Sequence, residues 1–143
     1  MRFWHVDLLE FLPRQQLVNQ WREVCQVAKN MALNGTTGNV LTERVMDYPP
    51  EHLQAYAEAV MNEMERQDFR CNPREFTKWH QVPESVELPK EIFPEWFTRR
   101  YLVQNLYELQ ELFDCKAFSA EEWMELDELM AEVLLEIYEE APQ

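Results

Sequence analysis

The sequence predicts an all-α protein, a compact single domain of about four helices, and three observations lead there. Apolar residues recur at three- and four-residue spacing in four separate stretches. No stretch alternates apolar and polar residues in the manner of a half-buried strand, and no segment repeats. The chain has 143 residues, 46% hydrophobic and 13% aromatic, a length and a store of apolar material that suit one core.

The two glycines, Gly35 and Gly38, sit together in NGTTGN, the strongest loop signal in the chain. Before it, residues 13–33 read as one long helix opened by Pro13. Its apolar stripe is Leu17, Trp21, Val24, Ala28 and Met31, and Asn34-Gly35 is the stop. Tyr48-Pro49-Pro50 breaks the chain again. Residues 51–66 then carry Leu53, Tyr56, Ala57, Val60, Met61 and Met64 on one side of a second helix. Residues 69–94 contain Pro73, Pro83, Pro89 and Pro94 and read as an ordered connection with short helical turns, pinned to the core by Phe76, Trp79 and Phe93. A third helix is expected over 94–113, with Phe97, Tyr101, Leu102, Leu106, Leu109 and Leu112 inward. Ser119-Ala-Glu-Glu122 matches a capping box and opens a fourth helix to about residue 138. That helix carries Trp123, Leu126, Met130, Val133, Leu134 and Ile137 on one side and nine carboxylates without a basic residue elsewhere.

Composition narrows the functional classes. No run approaches 18 uninterrupted apolar residues, so no membrane-spanning helix is expected. His5, Asp7 and Glu10 interrupt what a secretory signal would need as its apolar stretch, and the expectation is a soluble cytoplasmic protein. Cys25, Cys71 and Cys115 are odd in number and far apart. They read as reduced thiols and buried small hydrophobes rather than as nucleophiles. No phosphate-binding loop, dinucleotide fingerprint, zinc-protease or hydrolase motif is present. His5, His52 and His80 lack acidic ligands at helical spacing, so neither metal nor cofactor is expected. The net charge of −14 is uneven: residues 1–80 carry nine basic and eleven acidic side chains, residues 81–143 four and sixteen. Phosphate affinity depends on Lys and Arg, so a DNA-facing surface is expected in the first half.

On the first helix, Gln15, Asn19, Arg22 and Gln26 share a face with Glu23 one step around. Taken alone, they describe a solvated helix face. The run MRFWHVDLLEFLPRQQLVNQWREV, however, resembles the start of the pyrimidine-dimer DNA glycosylase family, and most closely its uncharacterised bacterial branch. The likeness continues more loosely through Asp47-Tyr48-Pro49, Tyr56, the string VMNEMER at 60–66 and Phe93-Pro94-Glu95. It touches about 100 residues, of which the first 24 are motif-like. The resemblance implies a compact helical domain with the amino terminus packed across the helices and a glycosylase-like core over 1–113; the acidic helix over 119–140 is an addition to that core.

It further implies DNA glycosylase activity with abasic-site lyase chemistry on pyrimidine dimers or another damaged or modified base, with damaged double-stranded DNA as partner. The nucleophile implied is the chain's own terminal amine. Arg2 follows Met1, and a bulky second residue blocks trimming of the initiator, so that amine is the one on Met1. An α-amine has a pKa of about 7.7–8.0, low enough to be partly unprotonated at neutral pH. Glu23 falls at the place of the family's catalytic glutamate. Arg2, Gln15, Gln16 and Arg22 fall at positions that hold the DNA backbone or the carboxylate, and Arg14 joins Arg2, Arg22, Lys29 and Arg44 in an expected basic groove. Arg22 beside Glu23 is expected to lower its pKa. Two alternatives stand beside this reading. One is a catalytically inactive acidic relative, a protein-interaction or DNA-mimic module whose last helix binds a basic protein. The other is an enzyme of the same chemistry acting on a free nucleoside or hypermodified base. Oligomeric state is not specified by the sequence.

Overall fold

A computed structural model describes residues 2–140, and the regular structure among them is entirely helical. The helices are α1 (Arg14–Asn34), α2 (Pro50–Arg66), the single turn α3 (Arg74–Thr77), α4 (Arg99–Asp114) and α5 (Ala120–Glu140). Two 3₁₀ segments, Val6–Phe11 and Glu43–Asp47, precede α1 and α2. No helix among the described residues is long and apolar enough to cross a membrane.

The expected stripes form the core. Leu17, Trp21, Val24 and Ala28 of α1 are buried together with Leu53, Tyr56, Ala57, Val60 and Met64 of α2. Val27 joins them, while Met31 is only half-buried. Gly35 ends α1 in the left-handed region (φ 70°), its N–H donating to the Met31 carbonyl at 3.0 Å. The other two long-helix ends in this part of the chain use no glycine. Asp68 (φ 68°) after α2 and Lys116 (φ 65°) after α4 take the same conformation, and the following Phe69 and Ala117 amides reach back to Met64 and Leu112.

The third long helix begins at Arg99, five residues later than Pro94 suggests. Phe93 adopts φ 47°, and its carbonyl accepts from the Trp96 and Phe97 amides at 2.9 and 2.8 Å. This tight turn drives Phe93 fully into a cluster with Phe3, Tyr48, His52, Tyr56, Trp96 and Phe97. Aromatic packing thus overrides the proline start signal. Thr98 is extended, and its hydroxyl accepts from the Tyr101 amide at 3.2 Å, which makes it the N-cap. The capping box at the start of α5 is as expected: Ser119 Oγ accepts from the Glu122 amide at 3.2 Å, and Glu122 Oε1 accepts from the Ser119 amide at 3.0 Å. Trp123 stacks on Phe113 at 5.4 Å, and with Leu126, Met130 and Val133 it seats α5 on α4. Ile137, expected inward, is exposed. The cysteines are less buried than expected: Cys25 and Cys71 are half-buried and Cys115 is exposed. Burial still pushes the Cys25 thiol up to about 12, which keeps it protonated and unreactive.

Residues 2–5 are extended and lie among α1, α2 and α4. Side chains, not a neighbouring strand, satisfy their backbone. The Tyr101 hydroxyl donates to the Phe3 carbonyl at 2.5 Å, the Tyr56 hydroxyl to the Trp4 carbonyl at 2.5 Å, and the His5 amide donates to Asn105 Oδ1 at 2.7 Å. His5 is buried. Its Nε2 lies 3.0 Å from the Phe97 carbonyl and its Nδ1 accepts from the Asp7 amide at 3.1 Å. These partners assign the neutral Nε2–H tautomer.

Burial lowers the His5 pKa below its ordinary 6.5, with Asp7 acting the other way and more weakly. The folded state therefore binds fewer protons than the unfolded chain once pH falls below 6.5, and stability declines with acidification there. Thermal melts at pH 7.5 and 5.5 are expected to show this decline. In His5→Asn the decline is expected to be smaller; an unchanged decline in the variant contradicts the assignment.

Candidate active site

Residues 2–5 lead to a cleft of about 510 Å³. From α1 come Gln16, Asn19, Gln20 and Glu23, all on one side because their spacings are three or four residues. From α4 come Glu108, Glu111 and Leu112, with Cys115 just beyond, and Arg2 and Trp4 form the remaining wall.

Glu23 and Gln20 hold residue 2 by its backbone. The Arg2 amide donates to Glu23 Oε2 at 3.2 Å, and Gln20 Nε2 donates to the Arg2 carbonyl at 3.0 Å, lying also 3.4 Å from Glu23 Oε2. The Gln20 carbonyl oxygen accepts from the Trp4 amide at 2.7 Å and lies 3.1 Å from the Tyr56 hydroxyl. Gln20 is fully buried, so one amide side chain locks the chain's approach to the carboxylate. The Arg2 side chain is held separately, its Nε 2.6 Å from Glu108 Oε2 and its guanidinium 5.6 Å over the Trp4 ring.

Burial pushes the Glu23 carboxyl above its ordinary 4.5; the Arg2 amide and guanidinium oppose this and are weaker. This reverses the expectation that Arg22 holds Glu23 ionised. Arg22 is exposed, one residue and so 100° around the helix from Glu23, and does not line the cleft. Glu108 is likewise raised by burial, against the pull of Arg2. Two carboxyls whose pKa values burial raises above 4.5 thus share one cleft, an arrangement open to proton transfer.

The residues singled out from sequence separate into two sets. Arg2, Gln16 and Glu23 are together in the cleft. Met1 lies outside the described residues. Gln15 is exposed and donates to Asn19 Oδ1 at 3.0 Å. Arg14 lies in a different groove, with its guanidinium 4.5 Å over Phe69. The expected basic groove is not assembled, because its cations are spread over separate aromatic rings: Lys29 over Trp79, Arg44 over Trp96, Arg14 over Phe69. Sequence reasoning missed Gln20, Tyr56, Tyr101, Asn105 and Glu108. A signal existed for two of them: Gln20 and Asn105 occupy positions in otherwise apolar stripes, three or four residues from Leu17 and Val24, and from Leu102 and Leu109.

The cleft carries three carboxylates against one guanidinium, and that guanidinium is already paired. Glu108→Gln is therefore expected to tighten duplex DNA binding. It should also steepen the plot of log K against log salt by about one unit, the effect of one additional phosphate contact. Fluorescence anisotropy over a salt series checks this, and a weaker or unchanged affinity counts against a DNA-facing cleft.

A helical domain in which the backbone of residue 2 is hydrogen-bonded to a half-buried glutamate is the class of protein that the fold and the cleft define. Residues 1–76 match the family model described as pyrimidine dimer DNA glycosylase, more than half of the chain, and the protein belongs to that family. No curated protein and no solved structure matches the chain. The matched segment includes Arg2, Gln20, Glu23 and Tyr56; the α4 wall of the cleft, with Glu108, lies beyond it.

Proposed function

We propose that this protein is a DNA glycosylase with abasic-site lyase activity, acting on pyrimidine dimers or another damaged base in duplex DNA. The observation that carries the reading is the Arg2 amide hydrogen-bonded to half-buried Glu23 at 3.2 Å. The α-amine of Met1 is one residue away, so covalent connectivity alone keeps it within about 4 Å of that amide.

In the proposed reaction the unprotonated Met1 amine attacks C1′ of the extruded nucleotide. The glycosidic bond breaks and the base leaves with the bonding electron pair, taking up a proton. Loss of a proton from nitrogen and opening of the C1′–O4′ bond give an imine, with Glu23 in its protonated form supplying the proton to O4′. The resulting Glu23 carboxylate then removes a C2′ proton, and the C3′–O bond breaks with departure of the 3′ phosphate. A carboxyl whose pKa is raised by burial suits both directions of transfer. Gln16 and Arg2, which line the cleft, are the proposed contacts to DNA there; Gln15, Arg14 and Arg22 are proposed as contacts outside it. Residues 1–113 are proposed as the glycosylase-like core, to which α4 contributes Glu108, and 119–140 as an appended acidic helix.

One observation favours a second reading. Among the described residues, the one guanidinium lining the cleft is already paired with Glu108, as expected if the fold persists without DNA chemistry as an acidic interaction module. Nicking assays separate the two. The enzyme reading expects cleavage of ultraviolet-irradiated supercoiled plasmid and of a duplex with a single abasic site, but none of undamaged plasmid. Absence of cleavage and of DNA binding at low salt leaves the interaction module.

A further inference from the structure

Beyond the buried seam of Trp123, Leu126, Met130 and Val133 that seats it on the core, α5 carries a second apolar line. Met124, Ala131, Leu135 and Tyr138 follow at intervals of seven, four and three residues, which places them on one face about 130° from the seam. All four are exposed, with Met124 59%, Leu135 58% and Tyr138 78% accessible. A stripe of that length is not needed to hold α5 in place, and it adds nothing to the cleft, which it does not line.

The charge around the stripe selects its occupant. Glu121, Glu125, Glu128 and Glu132 border it on one side, along grooves they share with Arg66, which is itself paired with Glu63, and the helix contains no Lys or Arg. A second copy of the chain packing there would bring the carboxylates that border one stripe against those that border the other, a like-charge arrangement that opposes association. A nucleic acid meets the same repulsion. We propose that this face of α5 docks a basic amphipathic helix of another protein. Its apolar residues would sit on Met124, Leu135 and Tyr138, and its Lys or Arg side chains would face the bordering carboxylates, as in helix-in-groove recognition. The inference is independent of the glycosylase reading, because it uses no residue of the cleft.

The test uses the full chain and two synthetic peptides of about five helical turns, made only of leucine and lysine. One places leucine at helical spacing and the other has the same composition in shuffled order. By calorimetry at about 0.15 M salt, the ordered peptide is expected to bind about tenfold more tightly than the shuffled one. Leu135→Gln combined with Tyr138→Gln is expected to remove that advantage while leaving the circular dichroism of the protein unchanged. Equal binding of the two peptides reduces the effect to bulk charge and overturns the proposal. It is overturned equally by absence of binding, or by an advantage that survives the double substitution. Sedimentation of the unaltered protein as a dimer that Leu135→Gln dissociates assigns the stripe to a second copy and also overturns it.

Discussion

Glu23→Gln lowers cleavage of an abasic duplex by about 10²- to 10⁴-fold, the range expected when a general acid–base group is lost, without weakening the fold. The amide is isosteric, and its oxygen still accepts from the Arg2 amide, so the threaded amino terminus stays in place. The sign of the stability change carries the argument. Burial raises the Glu23 pKa above 4.5, so the folded state favours the neutral carboxyl. Its contribution to stability is complete below the unfolded pKa and is lost as pH rises through the folded one. At pH 7.5 the neutral glutamine is therefore at least as well accommodated as glutamate, and the variant should melt at or above the temperature of the original protein. A residue retained against stability is one held for chemistry. Kinetics on the abasic duplex together with thermal melts at pH 7.5 give both readouts. Full activity removes Glu23 from the mechanism, while a large loss of melting temperature makes it a structural residue.

Gln20→Leu has the opposite profile. It leaves the Trp4 amide and the Arg2 carbonyl without their partner. Each orphaned backbone group costs about 1–3 kcal/mol, so the expected loss is roughly 2–6 kcal/mol, a large share of a typical domain stability of about 5–15 kcal/mol. Residues 2–5 would lose their anchor on α1, and under the proposed mechanism cleavage should fall even at temperatures where the chain remains folded, because residue 2 is no longer held beside Glu23. Gln20→Glu is the companion variant. It keeps an oxygen for the Trp4 amide but loses the donor to Arg2 and adds a charge at a fully buried position, so it should be at least as disruptive. Urea unfolding of both variants measures the cost; a change below about 1 kcal/mol for Gln20→Leu contradicts the locking role.

The fold was readable because its helices follow simple rules. The stripes from Leu17 to Ala28 and from Leu53 to Met64 are the buried faces of α1 and α2, and the Ser119–Glu122 pair caps α5. The start of α4 was not readable, since it depends on a Phe93 turn stabilised by distant aromatic partners rather than on local propensity. Of the residues lining the cleft, Arg2, Gln16 and Glu23 were singled out through the family resemblance. The α4 wall was not. Tyr101, Asn105 and Glu108 do lie on one line of that helix, but only the three-dimensional path of residues 2–5 explains why polar groups belong there. Sequence adjacency also misled: Arg22 and Glu23 are neighbours in the chain yet point a quarter-turn apart, so burial and not a flanking cation sets the carboxyl.

Borohydride trapping on a duplex with one abasic site tests the central claim most directly, because reduction fixes a transient imine as a permanent cross-link. With the native terminus, a slower-migrating covalent complex is expected, its attachment mapping to the Met1 peptide. The complex should disappear when residues are added before Met1 and fall sharply in Glu23→Gln. No trapped complex with the native terminus, or one attached to a lysine side chain instead, contradicts the account.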